Sequence, residues 1–121
     1  EAEVIIDVLE AKINKYFKTV NHIAIADLYH NDCVIIDKQS GVAMYGKEGV
    51  KTTNESIAKG KPMQWKTFNR KLDLASSHII FYGDCELFVE AESKTYKGTF
   101  KQILQKFGYD WLLIYEIFDL V

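Results

Sequence analysis

The stretch Leu28–Val50, LYHNDCVIIDKQSGVAMYGKEGV, decides the fold. Its centre, Cys33-Val34-Ile35-Ile36, is apolar throughout and mostly β-branched, which predicts a strand covered on both faces. Asp37 closes the apolar run, and a polar turn, Lys38–Ala43, follows with Gly41 inside it. Val42-Ala43-Met44-Tyr45 reads as a short edge strand. Gly46 and Gly49 bracket Lys47-Glu48 where the chain enters a helix. Upstream, Asn31-Asp32 ends a short helix and begins the strand.

Toward the N-terminus, residues 3–20 carry Val4, Ile5, Val8, Leu9, Ile13, Tyr16, Phe17 and Val20 at helical spacing. This predicts an amphipathic first helix. Asn21 reads as the N-cap of a second, short helix through Tyr29. A third helix is expected over 47–59, with Gly60 as its C′ residue. Its apolar content is thin, so it is expected on the surface.

Toward the C-terminus, Pro62 introduces a series of strands: 63–74, 77–82, 85–96, 99–107 and 110–120. The intervening turns are read at Ala75-Ser76, Gly83-Asp84, Lys97-Gly98 and Gly108-Tyr109. Short connections imply antiparallel neighbours. Helices first and a meander afterwards give an α+β class. The expected architecture is a cone: a curved antiparallel sheet packed on three N-terminal helices, one domain over 1–121.

Composition agrees with one globular domain, at 121 residues and 48% hydrophobic content. A net charge of -2 gives no general attraction to nucleic acid or to an anionic membrane. The basic residues Lys59, Lys61, Lys66, Arg70 and Lys71 read as a solvated strand face. No apolar run approaches the roughly 20 residues that span a bilayer. The residues given hold no secretory leader. A soluble, cytoplasmic setting is expected, with secretion left open by two features. One is the sequon Asn54-Glu55-Ser56, and the other is the pair Cys33 and Cys85, which reads as buried free thiols or as a disulfide.

The run Tyr29-His30-Asn31-Asp32-Cys33-Val34 resembles the "LY-x-x-D-A/C-V" signature of the nuclear-transport-factor-2-like superfamily. Within it, the chain looks like the SnoaL-like and ketosteroid-isomerase-like proteins. Tyr45-Gly46-Lys47-Glu48-Gly49-Val50 resembles their entry into the third helix. The C-terminal part is similar too: Gly98-Thr99-Phe100 opens a strand, and Phe107-Gly108-Tyr109-Asp110-Trp111 turns into the last one. The resemblance implies the same cone, and dimerisation sheet against sheet.

It also implies a candidate base. In ketosteroid isomerases an aspartate closes the first strand five residues after the one that opens it, and Asp32 and Asp37 have that spacing. A carboxylate at an apolar pocket mouth could move a proton beside a carbonyl. The rest of that site does not carry over. The family's oxyanion tyrosine falls near Ile13, with Tyr16 one turn later, and no acid replaces the second donor. Without an oxyanion hole the larger catalytic contribution is missing.

Glu116 lies among apolar neighbours in the last strand, either as a pocket carboxylate or, the preferred reading, paired with Lys101 or Lys106. His22 and His30 are expected exposed at the ends of the short helix, and His78 could face the concave side. The histidines lack chelating spacing, so no metal is expected, and no cofactor motif is present. The strand aromatics, Trp65 and Tyr115 among them, line a lipophilic pocket or form core and interface. The candidate ligand residues are therefore Tyr16, Asp37, Trp65, His78, Tyr115 and Glu116, with Asp37 the candidate catalytic residue. The expected function is a small ligand-binding or self-association domain, a homodimer through its sheet, with a small lipophilic molecule as candidate ligand. The alternative is an isomerase- or cyclase-type enzyme using Asp37. A third possibility is a purely structural association module, its cone filled by side chains.

Overall fold

Ile6, Leu9, Ile13 and Phe17 recur every three or four residues and form the buried stripe of the first helix, α1 (Ala2–Lys18). The stripe lies one step round from the expected one: Val4, predicted to face inward, is 64% exposed, and Ile6 takes its place in the core. A computed structural model describes all residues, Glu1–Val121. After α1 come α2 (His22–Ala26), β1 (Tyr29–Asp37), β2 (Val42–Tyr45), α3 (Gly46–Ala58), β3 (Met63–Leu74), β4 (His78–Val89), β5 (Lys94–Phe107) and β6 (Asp110–Leu120). The class is α+β, with three helices against one curved, six-stranded sheet.

The strand order is β2-β1-β6-β5-β4-β3. From β3 to β6 the chain is an antiparallel meander, whereas β1 joins β6 in parallel, a pairing the sequence reading did not foresee. The helices fill the inner face. α1 crosses β3, and Asn14 grips that edge strand by its backbone: Nδ2 donates to the Trp65 carbonyl at 2.8 Å, and the Trp65 N–H donates to Oδ1 at 2.7 Å. A side chain here takes the ladder bonds that another strand would take at an open edge. Asn21 caps α2 as expected, accepting from the Ala24 N–H at 3.1 Å.

Several expectations need correction. Gly83-Asp84 and Lys97-Gly98 are not turns; both lie inside long strands. These glycines serve close approach. A Cβ on Gly83 would meet the Asn69 carbonyl oxygen at 2.8 Å, and one on Gly98 would meet the Asp119 carbonyl oxygen at 1.6 Å. The reversal between β4 and β5 is instead made by a short 3-10 turn, Glu90–Glu92. α3 is no mere surface helix, because Gly49, Val50, Asn54 and Ala58 are buried where it packs beside β1. Small residues let it approach closely, which a count of large apolar side chains overlooks. His22 is buried, with neither ring nitrogen partnered. Burial holds its imidazole below the ordinary value of 6.5, against the opposing pull of Glu55. His30 is half-buried and stacks on Phe107 at 4.5 Å.

Cys33 and Cys85 are buried free thiols, so the disulfide alternative falls. Asn54 is 8% exposed, and a side chain at that depth in the folded domain has no room for a glycan. No helix is long and apolar enough to cross a membrane.

The outer face of the sheet carries one row of directly opposed residues: Tyr45, Val34, Tyr115, Ile103 and Ile80, one from each of β2, β1, β6, β5 and β4. All five are apolar or aromatic, and none of them is fully buried.

Candidate functional site

Alternation along β6 sends Leu113, Glu116 and Phe118 inward, with a register shift beside Ile114. Glu116 thus enters the inner face in mid-sheet, 7% exposed and in none of the ion pairs. The expected pairing with Lys101 or Lys106 does not form. Instead the Tyr29 hydroxyl, at the start of β1, donates to Oε1 of Glu116, and Gln102, its register partner on β5, faces the same carboxyl.

Burial pushes the Glu116 carboxyl above its ordinary 4.5, and the polar side chains of Tyr29 and Gln102 beside it pull it back only in part. The Tyr29 hydroxyl is pushed well above 10.0, first by burial and then by Glu116 beside it. An acid kept toward its neutral form inside an apolar space marks a candidate site.

That space is a cavity of about 30 Å³ between the helices and the inner sheet face. Ile13 and Phe17 of α1, Ile35 of β1 and Phe118 of β6 contribute apolar wall, and the half-buried Ile57 and Leu120 stand at its margin. Its polar lining is Tyr29, Asn54, Gln102 and Glu116. Trp65 lines it as well. The ring packs edge-on against Phe100 at 5.7 Å, while its buried Nε1–H has no partner. That volume suits about one or two waters, far below the roughly 300 Å³ of a typical ligand pocket.

Of the six residues named from sequence, Trp65 and Glu116 meet at this cavity. The other four lie outside its lining. Tyr16 is half-buried beside the core, one helix position from Phe17, with the Lys15 ammonium 5.9 Å from its ring centre. His78 alternates with the inward Ile79 and so faces outward, its Nδ1 3.1 Å from the Ser77 hydroxyl. Tyr115 belongs to the outer row. Asp37 sits at the end of β1, where its Oδ1 accepts from the backbone N–H of Gln39 at 3.1 Å and of Ser40 at 3.4 Å.

Sequence reasoning missed Tyr29, Asn54 and Gln102 as site residues. Gln102 had a signal: it is the polar member of an inward triplet, Phe100, Gln102, Leu104. Larger depressions lie on the surface, two of them flanking the sheet and the first helix. One, bordered by Lys38, Lys71 and Lys101, opens on the outer sheet face; the other lies between Val4 and Val8 of α1 and the β5–β6 turn. Neither holds a buried titratable group.

No protein-family model matches the sequence, and no curated protein is significantly similar to it. Solved structures match over nearly the whole chain. A nuclear-transport-factor-2-like protein with a cystatin-like fold from Novosphingobium aromaticivorans superposes with TM-score 0.78 at 9% identity, over 98% of this chain and 81% of that one. A "putative calcium/calmodulin dependent protein kinase II association domain" from Xanthomonas campestris gives 0.82 at 18% identity, over 99% and 85%. A "putative ketosteroid isomerase" from Parabacteroides distasonis gives 0.72 at 14% identity, over 96% and 85%. The chain therefore has the nuclear-transport-factor-2-like, cystatin-like fold. At these identities the likeness is one of fold.

Proposed function

We propose that this cone is a ligand-binding domain that takes a small, mostly apolar molecule between its helices and its sheet. The observation that carries the reading is the pairing of Glu116 with Tyr29 in an apolar cavity. Burying a carboxyl costs stability that a leucine would not, so its retention there favours a use other than packing. Uptake requires Ile57 and Leu120 to swing outward, since a cavity of about 30 Å³ admits little more than water. The test uses toluene, a probe with no hydrogen-bonding group, followed by saturation-transfer NMR. Saturable binding, lost in Leu120→Trp and unchanged in Asp37→Asn, is the expected result. No binding at millimolar toluene leaves only the association reading.

Self-association is the second part of the proposal. The outer row Tyr45-Val34-Tyr115-Ile103-Ile80 offers an apolar surface that a second copy would cover, giving a symmetric, sheet-to-sheet dimer. The Xanthomonas campestris neighbour is named as an association domain, which agrees with this use of the fold. Sedimentation equilibrium at tens of micromolar is expected to give a dimer, and Tyr115→Arg a monomer. The isomerase alternative has less support: one neighbour's name favours it, but Asp37 already serves the turn amides and is not among the cavity's lining residues.

A further inference from the structure

We infer that the molecule taken into the cone carries an uncharged hydroxyl on an apolar skeleton, with the hydroxyl seated between Trp65 and Glu116. The inference rests on the ligand-binding reading and narrows it to a chemical class.

The argument is one of matching donors to acceptors. Trp65 lines the cavity and is 6% exposed, and its Nε1–H has no acceptor. An indole nitrogen only donates, so whatever completes it must accept. Glu116 lines the same cavity and already receives the Tyr29 hydroxyl, with Gln102 opposite it on β5. A carboxyl group has sites left over after such a bond. The group that completes both walls must accept from Trp65 and exchange a hydrogen bond with Glu116. A hydroxyl does this in either protonation state of Glu116. It donates to the carboxylate, or accepts from the acid.

Other head groups fail on one wall or on charge. A ketone accepts from Trp65 but has nothing to donate to an ionised Glu116. An ammonium donates to Glu116 but cannot accept from Trp65. A carboxylate meets a second acid in an apolar space, and no lysine, arginine or histidine lines the cavity to balance it. The rest of the lining is mostly apolar, so the skeleton must be apolar too.

The test is a calorimetric titration at pH 7.5 with four probes of one skeleton: 1-hexanol, 2-hexanone, hexanoate and hexylamine. Hexanol is expected to bind most tightly, by about tenfold over hexanoate and hexylamine, the effect of one satisfied hydrogen bond. Trp65→Phe is expected to weaken hexanol by a similar factor and to leave hexanoate unchanged. Glu116→Gln, which keeps the size and both kinds of hydrogen bond, is expected to retain hexanol. The inference is overturned if hexanone, hexanoate or hexylamine equals hexanol, or if Trp65→Phe leaves the ranking as it was. If toluene binds and none of the four probes does, the inference falls alone. If toluene fails as well, the ligand-binding reading falls with it.

Discussion

Glu116 and Asp37 lie on the same face of the parallel β1–β6 ladder, two rungs apart: Ile35 opposes Glu116, and Asp37 opposes Phe118. Two residues along a strand are about 7 Å. Over that distance the fate of a carboxyl reverses. Glu116 is in mid-sheet beneath the helices, cut off from bulk solvent, where the Tyr29 hydroxyl serves its carboxyl. Asp37 is where the strand ends and the backbone turns, so free amides are within reach, and its oxygen caps them. Position relative to the chain reversal, rather than residue type, separates a buried acid from a turn-forming one.

The harshest test of this contrast is Glu116→Ala. It leaves the Tyr29 hydroxyl without its acceptor and opens a void, so we expect a loss of about 3 kcal/mol in urea unfolding. A loss below about 1 kcal/mol would show that the trio does not hold the inner face together.

The thiols sharpen the contrast on the same face. Cys33 lies two residues before Ile35, and Cys85 faces inward from β4; both are essentially inaccessible. Burial raises both, Cys85 to about 12, so little thiolate exists at neutral pH. Native-state labelling by a disulfide reagent is expected to be about a hundredfold slower than in urea for each. Fast labelling of Cys33 without denaturant would show that β1 opens readily and that the wall near Glu116 is not fixed.

Much of this fold was legible, and the reasons are local. The apolar run Cys33–Ile36, the Asn21 cap and the β5–β6 reversal at Gly108 each announce themselves within a few residues. The candidate site was half legible. Trp65 follows Met63 in an alternating run that places it inward, whereas Glu116 has apolar neighbours on both faces, so its direction was open. Gln102 could not be matched to Glu116 by counting back from the hairpin, because unbroken pairing would set it against Tyr115. The bulge between Ile103 and Leu104 shifts the register by one and turns Gln102 to Glu116. Tyr29 reaches Glu116 only through the parallel β1–β6 pairing, which no short-range pattern signals. Gly83 and Gly98 misled for a related reason: a glycine required for close approach looks in sequence like a glycine required for a turn.

A gentler test replaces the charge and keeps the shape. In the unfolded chain Glu116 titrates near 4.5; in the folded chain burial raises it. Below pH 4.5 both states hold the proton, and the group adds no penalty. Above it the unfolded chain ionises first, and folding loses stability as pH climbs through the folded value. Glu116→Gln removes that loss. The variant is expected to match the parent at acidic pH and to exceed it increasingly as pH rises. Chemical denaturation at a series of pH values reads the gap. A gap that shrinks with rising pH would mean that the folded carboxyl is held ionised, against the burial that surrounds it.

The smallest effect is expected at Asp37, and it bears on function most directly. Asp37→Asn keeps the side-chain oxygen that accepts from Gln39 and Ser40, so the turn retains its cap. The loss in stability is expected to be about 0.5 kcal/mol or less. Asp37→Ala removes the acceptor as well and is expected to cost about 1 kcal/mol, the usual scale of a lost cap. If Asp37 worked instead as a proton carrier at the cone's rim, the ranking would invert in a turnover assay. Asn would then be as damaging as Ala, since neither can hold the proton, although Asn preserves the fold. Equal turnover, or none, in the parent and in Asp37→Asn fits a residue spent on its turn. A selective loss in Asp37→Asn with stability intact would return Asp37 to chemistry and set it above Glu116.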